Sequence, residues 1–246
     1  MRLTRRALGF TLVELAVVLL VVTLLLGSVL VPLATQVEQR RLGEAEKLLD
    51  DTREAIIGFA MINGRLPRPA TSASDGEELS GTCTSLPDPG KDAVANCTGF
   101  VPWATLGVSR LDPWGKQLRY SVSPQFADSA FTFSTAMTNH KRVCPNSSSC
   151  TTPVVSSVPA VILSHGRENF GFRDDGGEFD NASTTNTDEI ANDTKFKCLV
   201  AANCNDFVSR SISKNPAAAG GEFDDLVTWI SNSLLFNRMV AAGRLP

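Results

Sequence analysis

The chain has little of what metal, nucleotide or nucleic-acid chemistry requires. It has two histidines, His140 and His165, and six cysteines among 246 residues, with no C-x-x-C pair and neither histidine spaced as a ligand beside any cysteine couple. A structural zinc cluster of the usual tetrahedral kind is therefore not expected. Positive charge is not in excess either: 23 Lys and Arg face 26 Asp and Glu, for a net charge of -3. No basic surface is left over to drive binding by counterion release, so nucleic acid is not an expected partner. Ser164-His165-Gly166 is the nearest approach to a nucleophile beside a base. Adjacent residues on a strand point to opposite faces, and no acid to orient the histidine is apparent, so an enzyme is not expected. The last absence is of charge itself, because no ionisable side chain occurs from Leu15 to Leu33.

That apolar run dominates what is present. At 43% hydrophobic and 20% charged residues, the rest of the chain can bury one sizeable core, so one globular domain plus an apolar segment is the natural count. All six cysteines, Cys83, Cys97, Cys144, Cys150, Cys198 and Cys204, lie beyond the run. An even number implies disulfides and an oxidising compartment. Fifteen connectivities are possible for six cysteines, but these fall as three close couples, each flanking a polar loop. Cys83-Cys97, Cys144-Cys150 and Cys198-Cys204 are the expected pairs.

Arg2, Arg5 and Arg6 precede the run, which predicts a cytoplasmic N-terminus and an outward C-terminal part. A cleaved secretory signal fits poorly. The run is longer than a signal core, and the candidate site near Ala34 has Pro32 where a small residue belongs. Thr4-Arg5-Arg6 invites a twin-arginine reading, which lacks the same site. A plain single-span anchor accounts for the length but leaves Glu14 without a partner.

Gly9-Phe10-Thr11-Leu12-Val13-Glu14-Leu15 resembles the cleavage and methylation signature of type IV prepilins and type II secretion pseudopilins. The resemblance implies cleavage between Gly9 and Phe10 by a prepilin peptidase, N-methylation of Phe10, and an apolar segment that stays attached. It implies that Glu14 pairs with the Phe10 amine of a neighbouring subunit during assembly. Other pilin or pseudopilin subunits, an inner-membrane assembly platform and membrane lipid are the partners it implies. Leu111-Asp112-Pro113-Trp114-Gly115-Lys116 resembles the turn before the first strand of the major pseudopilin, and reads on its own as a tight turn with a buried tryptophan.

Past Gln36 the helical period continues in polar sequence. Ala45, Leu48, Leu49, Thr52, Ile56, Phe59 and Ala60 form one stripe, as on a helix packed against a core. Gly27 and Pro32 are expected to loosen its apolar half, and Asn63-Gly64-Arg65-Leu66-Pro67 to end it. Residues 71–100 read as a long loop. Strands are expected over 117–123, 131–137, 160–164 and 224–230, and a C-terminal helix over 233–242 with Gly243 as its cap.

The segment 167–193 is glycine-rich and acidic. The pseudopilin resemblance implies calcium in the loop after Ser164-His165-Gly166, with Asp175, Asp224 and Asp225 as candidate ligands; a solvated acidic loop is the alternative. The expectation as a whole is an α+β pilin fold. A leader (1–9) and a transmembrane, polymerising half-helix (10–34) precede a periplasmic domain (35–246), the helix packing on a small antiparallel sheet with disulfide-pinned loops. The implied place is the bacterial inner membrane as a single span, and a pseudopilus or pilus after assembly. A membrane-anchored periplasmic binding or adhesion module is the second reading.

Overall fold

The computed structural model describes residues 10–83, 97–135, 141–197 and 205–245, excluding the side chains of residues 26, 28–33 and 195–197. The chain divides into two compact units, Met1–Gly43 and Glu44–Pro246. Helix α1 (Leu12–Asn63) contributes to both.

In the first unit α1 starts at Leu12, and its apolar side chains lie open, Leu12 at 85% and Leu24 at 67% exposure. Among the described residues no helix is long and apolar enough to cross a membrane. The expected transmembrane half-helix, and with it the single-span inner-membrane placement, is therefore corrected. Gly27 and Pro32 do not break the helix, which continues through both.

In the second unit the later part of α1 buries the stripe read from sequence. Ala45, Leu49, Thr52, Ile56 and Ala60 are buried, joined by Ile57, while Leu48 and Phe59 are half-buried. The helix stops at Asn63 because Gly64 takes the left-handed region at φ 74° and donates its N–H to the Ala60 carbonyl. Arg244 then donates to the carbonyls of Met61 and Ile62, closing groups that a helix end leaves open.

Against α1 lies a four-stranded antiparallel sheet in the order β1-β2-β5-β7: β1 (Cys97–Phe100), β2 (Arg119–Val122), β5 (Ala160–Ser164) and β7 (Leu226–Ile230). A second, three-stranded sheet, β4-β3-β6, was not expected. It pairs β3 (Lys141–Cys144) antiparallel with β4 (Val155–Val158) and parallel with β6 (Asp206–Val208). Strand β5 explains the layering. Its alternate residues Ala160 and Ile162 join the α1 core with Ile56, Tyr120 and Phe126. Val161 and Leu163 join Val143, Val158 and Phe207 of the second sheet. A strand covered on both faces reads as a continuous apolar run, and that is the pattern from Ala160 to Leu163.

The strand expected over 131–137 is a turn in its described part, Phe131–Thr135. Two short helices, α2 (Trp103–Leu106) and α3 (Pro124–Ala127), follow β1 and β2, and Phe131 is spent on an aromatic cluster, 5.0 Å from the Phe126 ring on α3 and 5.9 Å from that of Phe236 on helix α5 (Asn232–Ala241). Ser231 caps α5 by accepting from the Leu234 N–H. Cys83 pairs with Cys97 and Cys144 with Cys150. Cys198 and Cys204 lie outside the described residues.

Ile56 is fully buried in the main core. Ile56→Ala is expected to cost about 2–5 kcal/mol through lost burial and the cavity left behind, read as a lower denaturant midpoint. Among the described residues Asp50 forms only an exposed i,i+3 pair with Arg53 at 3.2 Å, so Asp50→Ala should leave that midpoint in place.

Candidate functional site

The start of α1 is built by Thr11 and Glu14. Thr11 Oγ1 accepts from the Glu14 N–H at 3.2 Å, and Glu14 Oε2 accepts from the Thr11 N–H at 2.9 Å and from its hydroxyl at 2.9 Å. This reciprocal arrangement is a capping box, the Thr-x-x-Glu pattern at a helix start. The Thr11 backbone bond, then the hydroxyl bond, hold the Glu14 carboxyl below its ordinary range. The sequence reading looked for the partner of Glu14 in another chain and missed this one, although the Thr11-to-Glu14 spacing was its signal. Phe10 is 84% exposed. Gly9, the other residue of the expected cleavage site, lies outside the described residues.

The second constellation is a buried polar cluster around the segment that follows β5. It begins at Asp112, which folds its own turn: Oδ1 accepts from the N–H groups of Trp114 and Lys116, and Oδ2 from the Ser164 hydroxyl at 2.7 Å. Gly115 closes the turn at φ 81°. The tryptophan expected to be buried is only half-buried; Asp112 and Lys116 are the buried members of this turn. Burial raises the Asp112 carboxyl and lowers the Lys116 ammonium.

Helix α4 (Thr187–Lys197) lies in the stretch read as an acidic loop. Its Asp188, Glu189, Asn192 and Asp193 are buried at helical spacing, a polar stripe that a search for apolar periodicity passes over. Asn192 donates to Val208 O and Asp225 Oδ2 and accepts from the Val208 N–H, fastening α4 to β6 and to the residue before β7. Glu189 accepts from Asn169, Asn186 and the Asp224 N–H. Asp225 Oδ1 stands 3.1 Å from His165 Nδ1, with both side chains buried.

Asp225 is thus the orienting acid not apparent in the sequence. The pair does not extend to a nucleophile, since the Ser164 hydroxyl is given to Asp112. Burial drives the His165 imidazole down to about 3 and pushes the Asp225 carboxyl well up.

The three candidate calcium ligands are not brought together in one donor set. Asp224 and Asp225 meet in this cluster, whereas Asp175 sits in an exposed turn where its Oδ1 accepts from the Gly177 N–H at 2.8 Å. Asp224 Oδ2 accepts the N–H groups of Arg167 and Glu168 at 2.8 and 2.7 Å. Both Asp225 oxygens are engaged, by His165 and Asn192. Among the described residues the one group of three His, Cys, Asp or Glu ligand atoms within 4.8 Å of one another is Cys144, Cys150 and Asp206. Its two sulfurs are joined to each other, so it offers no thiolate.

Comparison with known proteins finds no matching family model, no similar curated protein and no similar solved structure.

Proposed function

We propose that this chain is a structural subunit of a helical fibre of the type II secretion pseudopilus or type IV pilus kind, processed between Gly9 and Phe10 and assembled through the start of α1. The observation that carries the reading is the exposed apolar surface of α1 from Leu12 to Leu25, with Glu14 its sole ionisable side chain. A helix apolar on all sides belongs either in lipid or in a protein core. This reading takes the second, a core made by packing copies of the helix. In such a core a lone carboxylate needs a cation. Cleavage after Gly9 would make one, because it frees an amine on Phe10 about one helical turn away. The partners of this reading are a prepilin peptidase, like subunits and an assembly platform.

Intact-mass and N-terminal peptide spectrometry of the native protein tests the processing step. The expected result is a chain that begins with N-methylated Phe10. A chain that keeps residues 1–9 overturns the reading.

A further inference from the structure

Lys116 is 2% exposed, and its ammonium ends among three backbone carbonyls. It donates to those of His165 at 3.3 Å, Glu168 at 2.5 Å and Asn169 at 2.7 Å. Three converging carbonyls match the three N–H donors of an ammonium. The segment is shaped to present them. Gly166, Asn169, Phe170 and Gly171 all take positive φ, at 60°, 30°, 45° and 90°, a run that turns successive carbonyls inward and that side chains other than glycine rarely adopt. The same segment turns its Arg167 and Glu168 N–H groups to Asp224 Oδ2. Its peptide groups are therefore held by a cation on the carbonyl side and a carboxylate on the amide side.

Convergent carbonyl oxygens beside carboxylates form the donor set of a hard divalent cation, which takes six to eight oxygens at about 2.3–2.6 Å. The calcium site implied by the sequence resemblance does not fit here. Lys116 Nζ stands among the carbonyls, and Asp224 Oδ1 is the one oxygen of the Asp224 and Asp225 carboxylates without a hydrogen-bond donor among the described residues. We propose that the Lys116 ammonium is the resident cation of this carbonyl cage, standing in the place of a divalent metal ion, so that the 164–171 segment is held without calcium. The lysine stem is part of the fit: a Cβ on Gly171 would come within 2.9 Å of Lys116 Cδ.

Thermal unfolding of the full chain tests this, run in chelator and in millimolar calcium. The wild-type midpoint is expected to be the same in both. Lys116→Ala is expected to lower the midpoint in chelator by roughly 5–10 °C, because three carbonyls lose their donor, and calcium should restore part of that loss by entering the vacated cage. A wild-type midpoint that rises with calcium overturns the proposal, as does a Lys116→Ala midpoint indifferent to it. Lys116→Gln, which removes the charge and keeps part of the stem, carries the same comparison where the alanine variant does not fold. These readouts do not depend on fibre assembly, so they fail or succeed apart from the proposed function.

Discussion

Glu14→Ala is expected to abolish fibre assembly while leaving a folded globular part, with fibre yield down on the order of 100-fold, as when one member of a buried ion pair is removed. The second unit gives no reason for a folding defect, because its core is built by α1 from Ala45 onward and by the sheets. The capping box complicates the reading of this variant. Glu14 holds the Thr11 N–H and hydroxyl, so alanine both removes the charge and frays the helix start. Glu14→Gln separates the two effects, because glutamine at this position keeps the reciprocal cap without the charge. If the carboxylate pairs with the Phe10 amine of a neighbour, both variants lose fibres alike, as counted in a sheared-fibre fraction and by electron microscopy. If only the alanine variant fails, Glu14 acts as a helix cap and the charge-pairing mechanism is wrong.

Legibility from sequence followed the kind of signal each element carries. The core face of α1 was readable because an apolar stripe at helical spacing has one physical cause, and Ile56 and Ala60 are buried where that stripe places them. Strands β2, β5 and β7 were readable from alternation or from short branched runs. The second sheet was not, because a strand such as β4, Val-Ser-Ser-Val, is too short and too polar to stand out. The described part of the 131–137 stretch, residues 131–135, failed in the opposite sense, since Phe131 and Phe133 serve an aromatic cluster rather than a sheet. Membrane crossing was over-read from the run between Leu15 and Leu33. The polar cluster was the least legible part, for its members are Lys116, His165, Glu189, Asn192 and Asp225, residue types that composition assigns to the surface. Hydrogen bonds to one another and to neighbouring backbone and side-chain groups are what let them sit in the interior.

Arg210→Ala is expected to be among the most destabilising single changes in the second unit, at about 3–5 kcal/mol, or roughly 10 °C in the unfolding midpoint. Asp188, at the start of α4, is 1% exposed on its side chain and takes the Arg210 Nε at 2.7 Å. It also accepts the Ser147 N–H at 2.8 Å, while the same guanidinium donates to the Gly221 carbonyl at 2.7 Å. Three segments distant in sequence therefore meet on one ion pair. Gly220 packs closely on the same carboxylate, where a Cβ would lie 1.9 Å from Asp188 Oδ2. Truncating the arginine leaves a buried carboxylate with, among the described residues, the Ser147 N–H as its remaining donor. Arg210→Lys keeps the charge but not the two-nitrogen fork, and should recover only part of the loss. The comparison that decides is Arg142→Ala. Arg142 makes an equally short pair with Asp206, 2.7 Å, but is 43% exposed, so water replaces what is removed and the midpoint should hardly move. Equal losses from Arg210→Ala and Arg142→Ala would mean that α4 is not fastened through Asp188.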